Sequence, residues 1–455
     1  MKKLFALAGI VLTALSGCRS YEAKPIDWED EAKRTGNSAV KEVSFANLEE
    51  AVMTAMVGNT DLNRLRLKRI NAARSADETG WWEDPELNID ALRIINPDSH
   101  PFLMGTSLSF TIPLSGVPGC EEKAAKCYAG ADAEAVRAAE RDVAVDVRKA
   151  VVRVAALRER MAILEAYGAD ERIGRALGNA EKLLEAGEVS AGDLAAARRR
   201  RHGRLHALRK LQRETLAEEA ALLKLLGYLP GVRVKVPPAE MHEEHHENEP
   251  PLDPLDLVRH PKVKEAIARL EGGEAALEAE IRRQYPELKI GPAYGREEGL
   301  DRLGIVVGTT LPLWNRNRKG IAEAEGTRDE ARFEAIAVWQ DLVRDYAAAR
   351  AVLENLLDHP HEPASERDQA EKLADAGELG PIDYLSMREE LCDLDLEEAE
   401  WRAETCAAYE ELRRFVVEKG ERVEKGESVS VPFKVLYHGA YLPLHGTEYI
   451  VEAAR

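Results

Sequence analysis

Two hydrophobic periods alternate along the chain. From residue 133 onward apolar positions step by sevens. Val136, Val143, Ala150, Leu157 and Leu164 form one row, with Val147, Val154 and Met161 interleaved. Such a seam belongs to a long helix packed against other helices, and it predicts one helix over 133–186. A weaker seam recurs through Ala335, Val338, Leu342, Ala349, Val352 and Leu356. Ahead of each seam the period drops to two. Met104, Thr106, Leu108, Phe110 and Ile112 point one way while Gly105, Ser107, Ser109 and Thr111 point the other, the signature of a strand with unlike faces. Strands are predicted over 86–95, 103–114, 287–295 and 303–313. Helices over 48–82 and 256–284 precede them.

This plan is written twice. Trp81-Trp82-Glu83-Asp84-Pro85-Glu86-Leu87 corresponds to Arg282-Arg283-Gln284-Tyr285-Pro286-Glu287-Leu288, and Asn59 falls on His260 at the same offset of 201. Thr111-Ile112-Pro113-Leu114 answers to Thr310-Leu311-Pro312-Leu313, and Ala186-Gly187-Glu188 to Ala376-Gly377-Glu378. Landmarks in identical order mark a duplication. The predicted organisation is repeat 1 over 44–231, a Pro- and His-rich linker over 232–254, repeat 2 over 255–419 and an unassigned tail over 420–455. The limb returning from the first long helix, 193–227, is too short to match it. The helix over 48–82 makes up the difference if it stacks end to end on that limb, which predicts a belt where helix ends meet.

The strands imply a membrane. A length of about ten residues crosses a bilayer at a tilt of roughly 45°, with apolar side chains toward lipid and polar ones toward water. No run of eighteen apolar residues follows the N-terminal segment, so a crossing has to use strands closed into a barrel. Four strands leave two open edges, so several copies must share one barrel.

The first residues refine the location. Lys2 and Lys3 precede a short apolar stretch that ends in Leu15-Ser16-Gly17-Cys18. This reads as a signal peptide over 1–17, and its end resembles the lipobox of bacterial lipoproteins. That resemblance implies a lipid anchor on Cys18, a lipidated segment over 18–43 and, with Arg19 following, sorting to the outer membrane.

Composition removes other functions. A net charge of -19 argues against nucleic acid, whose binding needs phosphate neutralisation. The run Arg198 to Arg201 is read as a solvated helix face. Cys120, Cys127, Cys392 and Cys406 form no CxxC pair, and their disulfide state stays open. His242, His245 and His246 lie among Glu243, Glu244 and Glu247; these are metal-ligand types, but a solvated linker has the same composition, so no metal site is assigned. No phosphate loop or Ser-His-Asp order stands in a suitable context. The expectation is no enzyme and no cofactor.

With these features in place, the chain resembles the TolC family of outer-membrane efflux proteins, nearest its CusC-like and CzcC-like lipoprotein branch, from about residue 44 to 415. The echoes are the helices running into Pro85 and Pro286, the strand ends Ile112-Pro113-Leu114 and Leu311-Pro312-Leu313, and Asn315-Arg316-Asn317-Arg318-Lys319-Gly320-Ile321-Ala322.

The resemblance implies a mainly α fold with a transmembrane β segment. Duplicated helical hairpins of three protomers would form an α-barrel tunnel below a shared barrel of twelve strands, four from each. It further implies a homotrimer in outer-membrane lipid, working with a periplasmic adaptor and an inner-membrane pump of the RND type. Such a duct passively exports cargo such as metal cations or small toxic molecules. The hairpin tips, with Gly187, Glu188 and Asp193 in one repeat and Gly377, Glu378 and Asp383 in the other, would meet the adaptor or gate the entrance. Asp193 and Asp383 can equally be helix-start residues that accept backbone N–H bonds. Rival readings are a type I secretion exit duct and a periplasm-spanning coiled-coil lipoprotein without a pore. Two departures from the family stand out: Pro360 and Pro363 predict a bend in the second hairpin, and the tail is longer than usual.

Overall fold

The computed structural model describes residues 21–36, 41–93, 102–229, 231–237, 252–297, 300–359, 372–373, 376 and 379–416. Cys18, Gly377, Glu378, the histidines at 242, 245, 246 and 361, both prolines of the expected bend and the tail lie outside the described residues. In chain order the elements are α1 (Trp28–Gly36), β1 (Glu42–Ser44), α2 (Leu48–Gly58), α3 (Thr60–Asp77), β2 (Glu86–Arg93), β3 (Phe102–Ile112), α4 (Val117–Ala169) and α5 (Glu171–Glu185). There follow α6 (Ala191–Leu226), β4 (Arg233–Lys235), α7 (Pro261–Arg282), β5 (Leu288–Glu297), β6 (Leu300–Thr309), α8 (Arg318–Asp358) and α9 (Pro381–Leu412).

The long helix begins earlier and ends sooner than the heptads predict. α4 has 53 residues, about 80 Å at 1.5 Å each. It starts where Gly116 takes a left-handed conformation, with Pro118 in its first turn, a position that needs no N–H. It stops at Asp170, whose carboxylate accepts from Arg172 N at 2.8 Å and restarts the chain as α5. The helix expected over 48–82 is likewise two. Asn59 ends α2 and caps α3, its Oδ1 accepting from Leu62 N at 2.9 Å. Short polar side chains compete with the helical backbone in this way.

Of the heptad positions Val136, Val147, Ala150, Val154 and Leu164 are buried, and Val143, Leu157 and Met161 are partly buried. Val147 and Val154 are fully enclosed, packed with Val52, Val151, Leu222 and Leu226. The two-stranded parallel sheet β1-β4 closes over the same cluster. A second core lies toward the hairpin ends, where Leu164, Ile173, Leu194, Leu211 and Leu385 join α4, α5 and α6 to α9.

Two layers are stacked along the chain. The sheet has the order β2-β3-β5-β6, antiparallel throughout, which leaves β2 and β6 as its edges. Next to it the helices lie in the order α3-α4-α7-α8, and beyond the belt in the order α6-α4-α9-α8. The outermost elements of sheet and helical layer are thus consecutive in the chain, α3 with β2 at one side and β6 with α8 at the other.

Candidate functional site

The sheet carries the membrane signal. Register pairs Leu87 with Leu108, Phe110 with Ile290, Ile290 with Val307 and Tyr294 with Leu303. These residues share one face with Ile89 and Ile305. Leu303 is 84% and Ile305 74% exposed, a large apolar surface for a protein in water. The opposite face holds Asn88, Asp90, Gly105, Ser107, Lys289, Ala293, Gly295, Arg302 and Gly304, read from the same register. There Lys289 bridges to Glu86 at 3.1 Å. The strands are eight to eleven residues long, and their limits shift by up to four residues from expectation. No helix among the described residues is long and apolar enough to cross a membrane.

Backbone approach in the sheet is closest at Gly291. A Cβ there would lie 1.6 Å from the carbonyl oxygen of Leu108, so only glycine fits. Pro292 follows and has no N–H to give. The recorded β3-β5 pairs skip from Ser107↔Ala293 to Phe110↔Ile290 across this spot.

Each half of the chain turns from strand to long helix by the same device. Gly116 opens α4 at φ 71° and Asn317 opens α8 at φ 49°, neither with a side-chain cap. They stand 201 positions apart. Asn317 instead donates from Nδ2 to the backbone oxygen of Glu280 at 2.9 Å, while Arg282 donates to Ser115 O at 3.1 Å. The end of α7 is thereby tied to both turns.

The predicted belt is present, and polar side chains splice its helix ends beside the apolar cluster of Val147 and Leu222. Asn59 Nδ2 donates to Leu225 O at 2.9 Å, near the end of α6. His260 caps α7 through Nδ1, which accepts from Lys262 N at 3.2 Å, and its Nε2 meets Arg414 O at 3.0 Å just past α9. Burial pushes the His260 imidazole down to about 4, against a partial upward pull from its backbone bond. Arg414 binds Asp142, Asp146 and Glu411, each at 2.7 Å, and Lys262 bridges to Asp142 at 3.0 Å. Arg414 and Lys149 hold the half-buried Glu411 carboxyl below its usual range, against the opposing effect of burial.

At the far end the hairpin tip reverses at Gly187, φ 75°. Glu188 N donates to Leu183 O at 2.8 Å and Gly187 N to Leu184 O at 3.1 Å, the pattern of a glycine helix stop. The cap of α6 is Ser190, which accepts from Asp193 N at 3.1 Å. Asp193 is the third residue of α6, in its first turn, where a negative charge suits the positive end of the helix. Asp383 holds the same third position in α9, which opens on Gly380 and Pro381 without a side-chain cap. Both aspartates and Glu188 are exposed. Leu194 and Leu385 lie in one core cluster, so both acid-bearing helix starts gather at one end of the protomer.

The arginine run is not simply a solvated face. Arg200 pairs with Glu389 at 2.5 Å and donates to Ser386 at 3.1 Å. Arg204 pairs with Asp393 and Arg198 with Glu181. Partners on other helices carry that information, and a single-helix pattern does not contain it. Cys120, Cys127, Cys392 and Cys406 are free thiols; burial pushes the Cys392 thiol up to about 11.

Comparison with known proteins agrees with this arrangement. The outer membrane efflux protein family model matches residues 55–228. No curated protein matches the chain by sequence. Among solved structures, CusC superimposes with a TM-score of 0.66 at 17% identity, covering 87% of this chain and 98% of that one. The outer membrane protein VceC of Vibrio cholerae gives 0.63 at 16%, covering 80% and 94%. The CmeC outer membrane channel of Campylobacter jejuni gives 0.63 at 15%, covering 88% and 90%. The outer membrane efflux protein match thus spans residues 55–228, and over most of its length the chain has the fold of the TolC-family outer-membrane channels.

Proposed function

We propose that three copies of this chain assemble into an outer-membrane exit duct. It would receive cargo from an inner-membrane pump of the RND type through a periplasmic adaptor and conduct it passively to the exterior. One observation carries the reading: sheet and helical layer are both open strips whose free margins coincide, α3 and β2 on one side, β6 and α8 on the other. An open sheet cannot persist in lipid, where unpaired N–H and C=O groups cost several kcal/mol each. A head-to-tail contact repeated around an axis satisfies every edge at once. Three copies then yield a twelve-stranded barrel with the Leu303 face outward and the Ser107 face inward.

In this reading the tips around Gly187 and Glu188, and their counterparts Gly377 and Glu378, meet the adaptor. Asp193 and Asp383 stand near the entrance, and a lipid on Cys18 holds the N-terminus in the outer membrane. The chain supplies a path and no fuel. Metal cations and small toxic molecules are the cargo classes we favour. The bilayer-facing surface on the sheet favours this duct over a coiled-coil lipoprotein without a pore, because such a spacer has no use for it.

Electron microscopy of the detergent-extracted protein, with planar-bilayer recording on the same sample, tests the proposal. Threefold hollow rods and stable conductance are expected. A helical monomer without conductance overturns it.

A further inference from the structure

The two lateral margins of the protomer differ in sign. Along one margin lie α3 and, beyond the belt, α6. α3 exposes Arg64, which also pairs with Asp61 at 3.6 Å, with Leu67 and Arg74 at helical spacing on one face. α6 exposes Arg199, His202, His206, Arg209 and Arg213, a ribbon at steps of three and four, while its acidic residues after Asp193 (Glu214, Glu218 and Glu219) are partly buried. The opposite margin is the single helix α8. It exposes Asp329, Glu330, Phe333 and Glu334 in its first half and Asp358 at its end, with the small Ala337 and Ala351 between. Lys319 and Arg344 interrupt this face, but Lys319 is bound to Glu323 at 3.5 Å and Arg344 to Asp341 at 2.6 Å.

Each margin also has an apolar centre. Phe333 is 72% and Leu67 58% exposed. An aromatic anchor ringed by charge is the usual form of a protein contact. A chain with a net charge of -19 has no general need of a basic ribbon, so its placement along one margin is specific.

We infer that these margins dock a second copy of this chain, the basic α3-α6 margin of one against the acidic α8 margin of the next. The inference rests on the ring proposed above and adds what selects the pairing. Opposite charges favour head-to-tail contact, and like charges oppose α8 against α8 or α6 against α6. The ring thereby has one direction of closure.

Charge exchange tests this on the full chain in detergent. One variant carries Arg74→Glu, Arg209→Glu and Arg213→Glu; a second carries Glu330→Lys, Glu334→Lys and Asp358→Lys; a third carries all six. Mass is read by light scattering after chromatography, and helix content by circular dichroism. Loss of the trimer in each triple variant, with helix content kept, and its return in the sixfold variant are expected. Raising the salt should lower the temperature at which the wild-type trimer comes apart.

Triple variants that stay trimeric overturn the inference and leave the ring intact, as does a sixfold variant that is helical but monomeric. A triple variant that loses its helices is replaced by the single changes Arg213→Glu and Glu330→Lys, read for salt sensitivity; unchanged sensitivity overturns the inference. A monomeric wild type overturns the ring itself.

Discussion

Asn59 and His260 stand 201 positions apart and perform the same two tasks. Each caps the helix that leads to the sheet, through Leu62 N and Lys262 N respectively. Each also meets a backbone carbonyl at the end of its repeat's last hairpin limb, Leu225 for Asn59 and Arg414 for His260. Their side chains splice a stopping helix to a starting one, and both are buried. Asn59→Ala removes both bonds and should cost about 1–2 kcal/mol. Denaturant melts with helix content as the readout check this, and an unchanged midpoint contradicts the splice.

The two splices should respond differently to acid. His260 is held neutral in the fold, its pKa down to about 4, whereas in an unfolded chain it takes a proton near pH 6.5. Between those values the unfolded state binds more protons, so stability falls as the pH is lowered from about 6.5 to about 4 and is fully present above that window. His260→Asn, the solution of the first repeat, should flatten this part of the profile. Thermal melts at pH 7.5, 6 and 5 for both proteins decide it.

Within the sheet, Gly291→Ala places a methyl on the Leu108 carbonyl and should cost about 3 kcal/mol or more, with loss of assembled barrel. Gly304→Ala meets nothing within 4 Å and serves as the neutral control. Heat-resistant oligomer on gels separates the two; equal behaviour would show that β3 and β5 do not approach closely there.

The two sheet faces should also part. Leu303→Arg puts charge toward lipid and should cost about 2–4 kcal/mol near the bilayer centre, lowering insertion into liposomes. Ser107→Arg, on the other face, should leave insertion intact and reduce single-channel conductance.

At the tip, Ser190→Ala removes the cap of α6 and should cost about 1 kcal/mol locally. Hydrogen exchange should quicken in the first turn of α6 while the belt core around Val147 and Leu222 stays protected. Asp193→Asn, which keeps the Ser190 cap and removes only a first-turn charge, should quicken that exchange less.

Much of the architecture is legible in residue order. The offset of 201 pairs Asn59 with His260 and Pro85 with Pro286 before any coordinates, and the heptad valines land in the core they predict. Two kinds of feature escape. The breaks at Asn59 and Asp170 interrupt helices whose apolar period continues through them, so only the capping chemistry of one short side chain marks each stop. The partners of Arg198, Arg200 and Arg204 lie on other helices, and a helix read alone cannot distinguish a solvated arginine from a paired one. For the tip, glycine identified the reversal, but the cap was Ser190, three residues before the aspartate that drew attention.

α4 passes the splices without a break, and α8 runs unbroken beside them, its Trp339 donating to Pro254 O at 3.0 Å and its Tyr346 ring standing 5.7 Å from Phe415. The protomer therefore combines two continuous struts with two jointed ones. Helical backbone bonds run through the struts but are interrupted at Asn59 and His260, so any twisting of the far end should pivot at the jointed members.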